Sequence, residues 1–139
     1  KQEIDELKAL FRHQHSIFKK TTNDPTLVLP KLSKEEAAEV PDVIHPVVRT
    51  HPENGTKALF ITNTRTEFIV DMETAKSEAL LQSLYDHLYA ARFQYHHHWR
   101  KGDLVMWDNR CLLHAATPNV PAGEERRLFR TILEGSRPV

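Results

Sequence analysis

One cysteine in 139 residues, Cys111, leaves no partner for an internal disulfide and is compatible with a reducing, cytoplasmic setting. Neither charge sign prevails, since nineteen lysines and arginines meet nineteen aspartates and glutamates. That balance offers no field to draw nucleic acid or an anionic membrane, so neither is expected as a partner. No apolar run approaches the roughly 20 residues that span a bilayer. The opening KQEIDELKAL is charged and heptad-like, which a signal peptide is not. Repeats and low-complexity segments are absent.

Against these absences stands histidine, nine in all. Imidazole is the commonest metal-binding side chain, so a metal is worth seeking, although surface and core positions account for most histidines in most proteins. The remaining composition, 40% hydrophobic and 27% charged in 16.1 kDa, fits one domain with a modest core.

Along the chain, Ile4, Leu7, Leu10 and Phe11 recur at three- and four-residue spacing and predict an amphipathic helix over Glu3 to Lys20. It lacks an N-cap, as though it began inside an element. Thr21 to Pro30 is a turn-rich connector, and Ser33 with Glu36 forms a capping-box pattern for a short helix through Glu39. Pro41 to Pro52 is expected to be extended, Glu53-Asn54-Gly55 to turn, and Lys57 to Asn63 to form a strand, with another short extended piece over Glu67 to Met72. Thr74 to Ala91 is the clearest helix, with Leu80, Leu81, Leu84 and Leu88 as its apolar stripe and Thr74 as its cap. Four strands are then predicted: Phe93 to Arg100, Leu104 to Trp107, Cys111 to His114 and Arg127 to Glu134. Lys101-Gly102-Asp103 forms a tight turn between the first two, and Thr117 to Glu125 is a loop. Helices first and strands clustered later indicate an α+β, mainly β fold: part of a sandwich or jelly roll with flanking helices.

The chemistry concentrates near the C-terminal end. Trp107-Asp108-Asn109 closes one strand, His114 lies on the next, and Arg126 and Arg130 come after a loop. The even spacing of the two arginines puts them on one face of a strand, with Arg127 opposite. Two guanidiniums beside an imidazole can hold an anion against a metal, because the planar fork meets a carboxylate or sulfonate with two hydrogen bonds. Taken singly, each arginine reads as an exposed surface charge. His51-Pro52-Glu53 has the form of a metal-binding HxE pair, but is read in preference as a proline-bounded turn. His13 with His15, and the run His96-His97-His98, read as solvated positions, and Trp99 and Trp107 as core.

The run KGDLVMWDNRCLLHAATPNVPAGEERRLFRTILEG, the block HPVVRTHPENGTKALFITN from His45, the helix SEALLQSLYDHL and the short QHSIF at residues 14 to 18 occur in one order. Together they resemble the C-terminal half of the TauD/TfdA (taurine/2,4-D) family of Fe(II)/2-oxoglutarate-dependent dioxygenases. The resemblance implies a double-stranded β-helix, of which residues 1–139 would be the C-terminal portion of a single domain. It implies iron held by an HxD pair and a distal histidine, with open positions for 2-oxoglutarate and O₂. His114 matches the distal histidine. Arg126 matches the arginine that pairs with the far carboxylate of 2-oxoglutarate, and Arg127 is the neighbour that a one-residue loop shift would bring there. Arg130 matches the arginine that meets the substrate anion. The implied reaction decarboxylates 2-oxoglutarate to succinate and hydroxylates an unactivated carbon of a small anionic substrate, a sulfonate or carboxylate.

The family's HxD pair lies upstream of the QHSIF-like segment, where this sequence offers nothing to match. One imidazole does not hold Fe(II) usefully, so the chain by itself is expected to be inactive. Taurine-oxidising members carry an aromatic residue where Arg65 stands, a departure toward a more polar or acidic substrate. Two rival readings are a non-catalytic binding or assembly module, which would dimerise to cover open sheet edges, and a simple metal- or anion-binding domain using His51, Glu53 and His114.

Overall fold

A computed structural model describes residues 4–13, 33–115 and 127–135 of the chain. Among the described residues, five short strands and two helices are formed. In chain order they are β1 (Lys8–Phe11), α1 (Lys34–Glu39), β2 (Val43–Pro46), β3 (Val48–Thr50), β4 (Lys57–Leu59), β5 (Thr66–Ile69) and α2 (Thr74–Leu88), followed by a 3-10 turn at Ala91–Phe93.

Strand β1 replaces the helix predicted over Glu3 to Lys20, as far as the described residues extend. It is the middle strand of an antiparallel sheet in the order β2-β1-β5, with Ala9 facing His45 on one side and Ile69 on the other. The spacing allows both readings. Leu7 and Phe11 are four apart, as on a helix face, but with Ala9 they also form the i, i+2, i+4 series of a strand. Ala9 is fully buried, while Leu10 points to the opposite face beside Ile44 and Phe68. Pairing on both edges settles the choice, and the QHSIF segment and the Thr21–Pro30 connector lie outside the described residues.

The expected extended stretch from Pro41 to Pro52 is present as β2 and β3, hinged at Val47. This fully buried residue donates its N–H to the Leu7 carbonyl and accepts from the Phe60 N–H, tying the three-stranded sheet to the β3-β4 hairpin. Strand β4 stops at Leu59, earlier than the predicted Asn63, and β5 begins and ends slightly before the predicted piece. The core comprises Ala9, Val47, Ile61, Ile69 and Leu81, with Leu7, Phe11, Leu84 and Tyr85 packed around it.

Both helices begin where side chains satisfy open amides. Ser33 Oγ accepts from Glu36 N (3.1 Å) while Glu36 Oε2 accepts from Ser33 N (2.8 Å), the predicted reciprocal cap. Helix α2 is capped by Glu73 rather than Thr74, its carboxylate accepting from Ala75 N and Lys76 N. Glutamate reaches two amides at once, and its charge suits the positive end of the helix. Ser77 on α2 lies against β5, where its Oγ accepts from Ile69 N at 2.8 Å.

Beyond Phe93 the described residues form no sheet ladder, so none of the four predicted strands is present. A strand exists through a neighbour that takes its N–H and C=O groups, and here the backbone bonds are local turns: Asp103 N to Arg100 O, and Cys111 N and Leu112 N to Asp108 O. The turn at Lys101-Gly102-Asp103 is as expected, with Gly102 at φ +93°. Trp99 and Trp107, expected in the core, are 43% and 36% exposed, with no second layer over them among the described residues. The molecule is therefore sheet-rich, with two helices and no closed barrel among the described residues.

Candidate functional site

The β3-β4 hairpin delivers His51 at the end of β3 and Glu53 in the adjoining turn. That turn is closed by His51 N to Thr56 O and Gly55 N to His51 O, with Gly55 in the left-handed region at φ +70°. His51 is 7% exposed. Its Nδ1 accepts from Glu53 N (3.3 Å), which leaves the proton on Nε2 to be donated to Asp108 Oδ2 (3.1 Å).

Asp108 is the hub. Its Oδ1 accepts from Arg110 N (2.8 Å) and Arg110 Nε (2.9 Å), and its Oδ2 from Arg110 Nη2 (2.6 Å) as well as His51. Arg110 Nη1 reaches across to Glu53 Oε1 at 2.8 Å. The Arg110 guanidinium, then its backbone amide and the His51 imidazole, hold the Asp108 carboxyl far below the usual carboxylate range. Bonds to Asp108 and Glu53 hold Arg110 above its ordinary value in turn. Two segments 57 residues apart in sequence are thereby joined by four charged or ionisable side chains.

The same hub organises the chain on either side of it. The Asp108 carbonyl accepts from Cys111 N and Leu112 N, and Trp107 Nε1 donates to Asn109 Oδ1 at 2.9 Å. The Trp107 ring then meets the His114 ring at a centroid distance of 4.8 Å. His114 is exposed. The metal-competent set among the described residues lies elsewhere: ligand atoms of His51, Asp108 and Cys111 fall within 4.8 Å of one another. Both Asp108 oxygens are already taken by Arg110 and His51, so the arrangement present is a hydrogen-bonded network.

The family described as "Taurine catabolism dioxygenase TauD, TfdA family" matches residues 1–132. The chain belongs to the TauD/TfdA family. Over 78 residues it is 49% identical to the (S)-phenoxypropionate/alpha-ketoglutarate-dioxygenase of Sphingobium herbicidovorans, a match covering 56% of this chain and 27% of that protein. Over 101 residues it is 39% identical to the alpha-ketoglutarate-dependent 2,4-dichlorophenoxyacetate dioxygenase of a Burkholderia species, covering 72% and 34%. The crystal structure of AAD-2 with Mn(II) and N-oxalylglycine superposes with a TM-score of 0.61 at 29% identity, over 79% of this chain and 40% of that one. The chain thus spans about a third of the length of these curated relatives.

Within that family frame, His114 is an exposed imidazole backed by Trp107, which suits one corner of a metal site. No second ligand joins it in a metal-competent cluster among the described residues, so these residues do not by themselves make the facial set of three that Fe(II) needs. Arg126 lies outside the described residues. Arg130 is exposed on a segment without regular structure, so the predicted strand face shared by the two arginines is not formed there. His51 and Glu53 do not converge as an HxE pair: one turns to Asp108 and the other to Arg110. Arg65 donates to the His13 carbonyl. His97 pairs with Asp103 at 3.0 Å at the edge of an open hollow of about 400 Å³ that His96 and His98 also line, in keeping with a solvated stripe.

Asp108 and Arg110 are not marked as a unit by sequence reasoning. Their one local signal is the alternation of acid and base in WDNR, and His51 reads from the sequence only as a metal ligand or turn residue. The partnership itself depends on a contact 57 residues long, which no local pattern carries.

Proposed function

We propose that the protein is an Fe(II)/2-oxoglutarate-dependent dioxygenase that hydroxylates a small anionic organic compound, with phenoxy carboxylates ahead of sulfonates as the substrate class. The observation that carries this reading is the family match over residues 1–132, joined to the 49% identity with a phenoxypropionate dioxygenase. In this reading the segment is part of a double-stranded β-helix and works in the cytoplasm. His114 is one iron ligand, Arg126 pairs with the far carboxylate of 2-oxoglutarate, and Arg130 meets the substrate anion through a two-point contact. The iron, when bound, activates O₂ together with 2-oxoglutarate; this chain's residues orient the two anions. The test is succinate release by the full natural chain supplied with Fe(II) and 2-oxoglutarate. Phenoxyacetates and phenoxypropionates are expected to stimulate release above taurine, and stimulation by none of these anions would overturn the reading.

A second reading, an assembly module without turnover, is favoured by one observation: Leu104, Met106, Phe129 and Leu133 are 84 to 101% exposed. Apolar side chains so presented are ordinarily covered by further polypeptide, a second copy included.

A further inference from the structure

We propose that His51, Asp108 and Cys111 form a metal site of their own, which takes a zinc-like divalent cation and staples the β3-β4 hairpin to the turn that carries Asp108 and Cys111. The site is independent of the ligand role proposed for His114.

Three kinds of donor converge here, an imidazole nitrogen, a carboxylate oxygen and a thiol sulfur, all within 4.8 Å of one another. A mixed nitrogen, oxygen and sulfur set suits Zn(II) and its borderline relatives, whereas oxygen-only cages suit Mg(II) and Ca(II). Two of the three already stand at coordination spacing. His51 Nε2 and Asp108 Oδ2 are 3.1 Å apart, and ligands bonded at about 2.0–2.1 Å to a tetrahedral ion lie about 3.3 Å from each other. The ion replaces the proton that this pair now shares. Cys111 belongs to the same turn as Asp108: its amide donates to the Asp108 carbonyl, and its Sγ is 3.8 Å from that oxygen. A zinc–sulfur bond of about 2.3 Å sets the sulfur about 3.5 Å from its fellow ligands. The thiol is exposed, and it reaches that spacing by closing at most about 1.3 Å.

Charge favours the exchange. Asp108 and Glu53 carry two negative charges against the single positive charge of Arg110, which leaves the cluster a net attraction for a cation. On binding, the thiol gives up its proton to solvent. The His51 proton passes from Nε2 to Nδ1, so the long 3.3 Å contact with the Glu53 amide is exchanged for the metal bond. Arg110 keeps Asp108 Oδ1 and Glu53 Oε1, and Oδ2 is left to the metal. Three protein donors leave the fourth position to water. A hydrogen-bonded cross-link alone has no need of sulfur, because a thiol is only a weak donor and acceptor. The chain's one cysteine nevertheless sits beside the buried imidazole and the hub carboxylate.

The experiment titrates Co(II) into the full natural chain, because a cobalt–thiolate bond gives a near-ultraviolet charge-transfer band that nitrogen and oxygen ligands do not. The band should grow to saturation and disappear when Zn(II) displaces the cobalt. Cys111→Ser should abolish it, and as a conservative change at an exposed position it keeps folding out of the outcome. His51→Ala and Asp108→Asn should each weaken the binding that the band reports by about tenfold or more. His114→Ala should leave the band in place. In that His114→Ala background Zn(II) should still raise the melting temperature, and adding Cys111→Ser should remove the rise. A natural chain without the band, a band that survives Cys111→Ser, or full affinity in His51→Ala would overturn the proposal. Loss of the band in His114→Ala would overturn it as well, by showing that the cation is not held by these three residues.

Discussion

At the scale of the residue, charge and burial make separable demands. Arg126 and Arg130 are proposed to meet two different anions, and their replacement should separate two constants. A charge-assisted hydrogen-bonded contact contributes about 1.5–3 kcal/mol, which is roughly 10- to 100-fold in affinity. Arg126→Ala is therefore expected to raise the KM for 2-oxoglutarate by about that factor while sparing the organic substrate, and Arg130→Ala to do the reverse. Steady-state titration of each substrate against each variant checks this; both variants affecting the same constant would contradict the assignment. Tyr85 shows the effect of burial. An unfolded tyrosine ionises near pH 10, but removal from water pushes this phenol up to about 12. Between those values the folded chain keeps a proton that the unfolded chain has released, so stability is full below about pH 10 and declines as pH rises toward 12. Urea midpoints at about pH 9 and about pH 11 should fall more for the wild type than for Tyr85→Phe. Parallel declines would place the alkaline sensitivity elsewhere.

At the scale of the element, what the sequence discloses depends on whether the determinant is local. The Ser33–Glu36 cap is a contact across three residues, and it is readable because its partners travel together. Helix α2 is readable for the same reason: its leucine stripe repeats at helical spacing, although the capping role falls to Glu73 beside the residue expected. Strand β1 is not readable, because Leu7 and Phe11 satisfy both periods and the decision is made by β2 and β5, more than thirty residues away. The C-terminal segments show the converse. Their composition is strand-like, yet propensity without a neighbouring edge produces no ladder. The candidate residues divide similarly: the proposal for His114 comes from a motif, whereas the His51–Asp108 contact needs the fold. The join between α2 and β5 offers a test at this scale. Ser77 is 1% exposed and accepts the Ile69 amide, so Ser77→Ala leaves a buried donor without its partner. The expected loss is about 1–3 kcal/mol by chemical denaturation. A change within about 0.5 kcal/mol, the range of neutral surface substitutions, would show that the amide finds another acceptor.

At the scale of the whole molecule, the two ends of the described structure differ in kind. From Leu7 to Leu88 apolar side chains gather around Ala9, Val47, Ile61, Ile69 and Leu81. From Tyr95 onward large apolar side chains face outward, with Met106 at 85%, Leu133 at 88% and Phe129 fully exposed. The relatives, roughly three to four times as long as the segment they share with this chain, have further polypeptide available to cover such surface. A balanced charge of nineteen against nineteen gives little electrostatic repulsion to keep copies apart. The 139-residue chain expressed alone is therefore expected to bury this surface against itself. Light scattering after size exclusion should give a mass above 16.1 kDa that rises with concentration. Replacing Met106, Phe129 and Leu133 by lysine should lower that mass while leaving the melting of the Leu7–Leu88 core unchanged, because these side chains are not part of it. A concentration-independent monomer would mean that the outward residues tolerate water and that no covering partner is required.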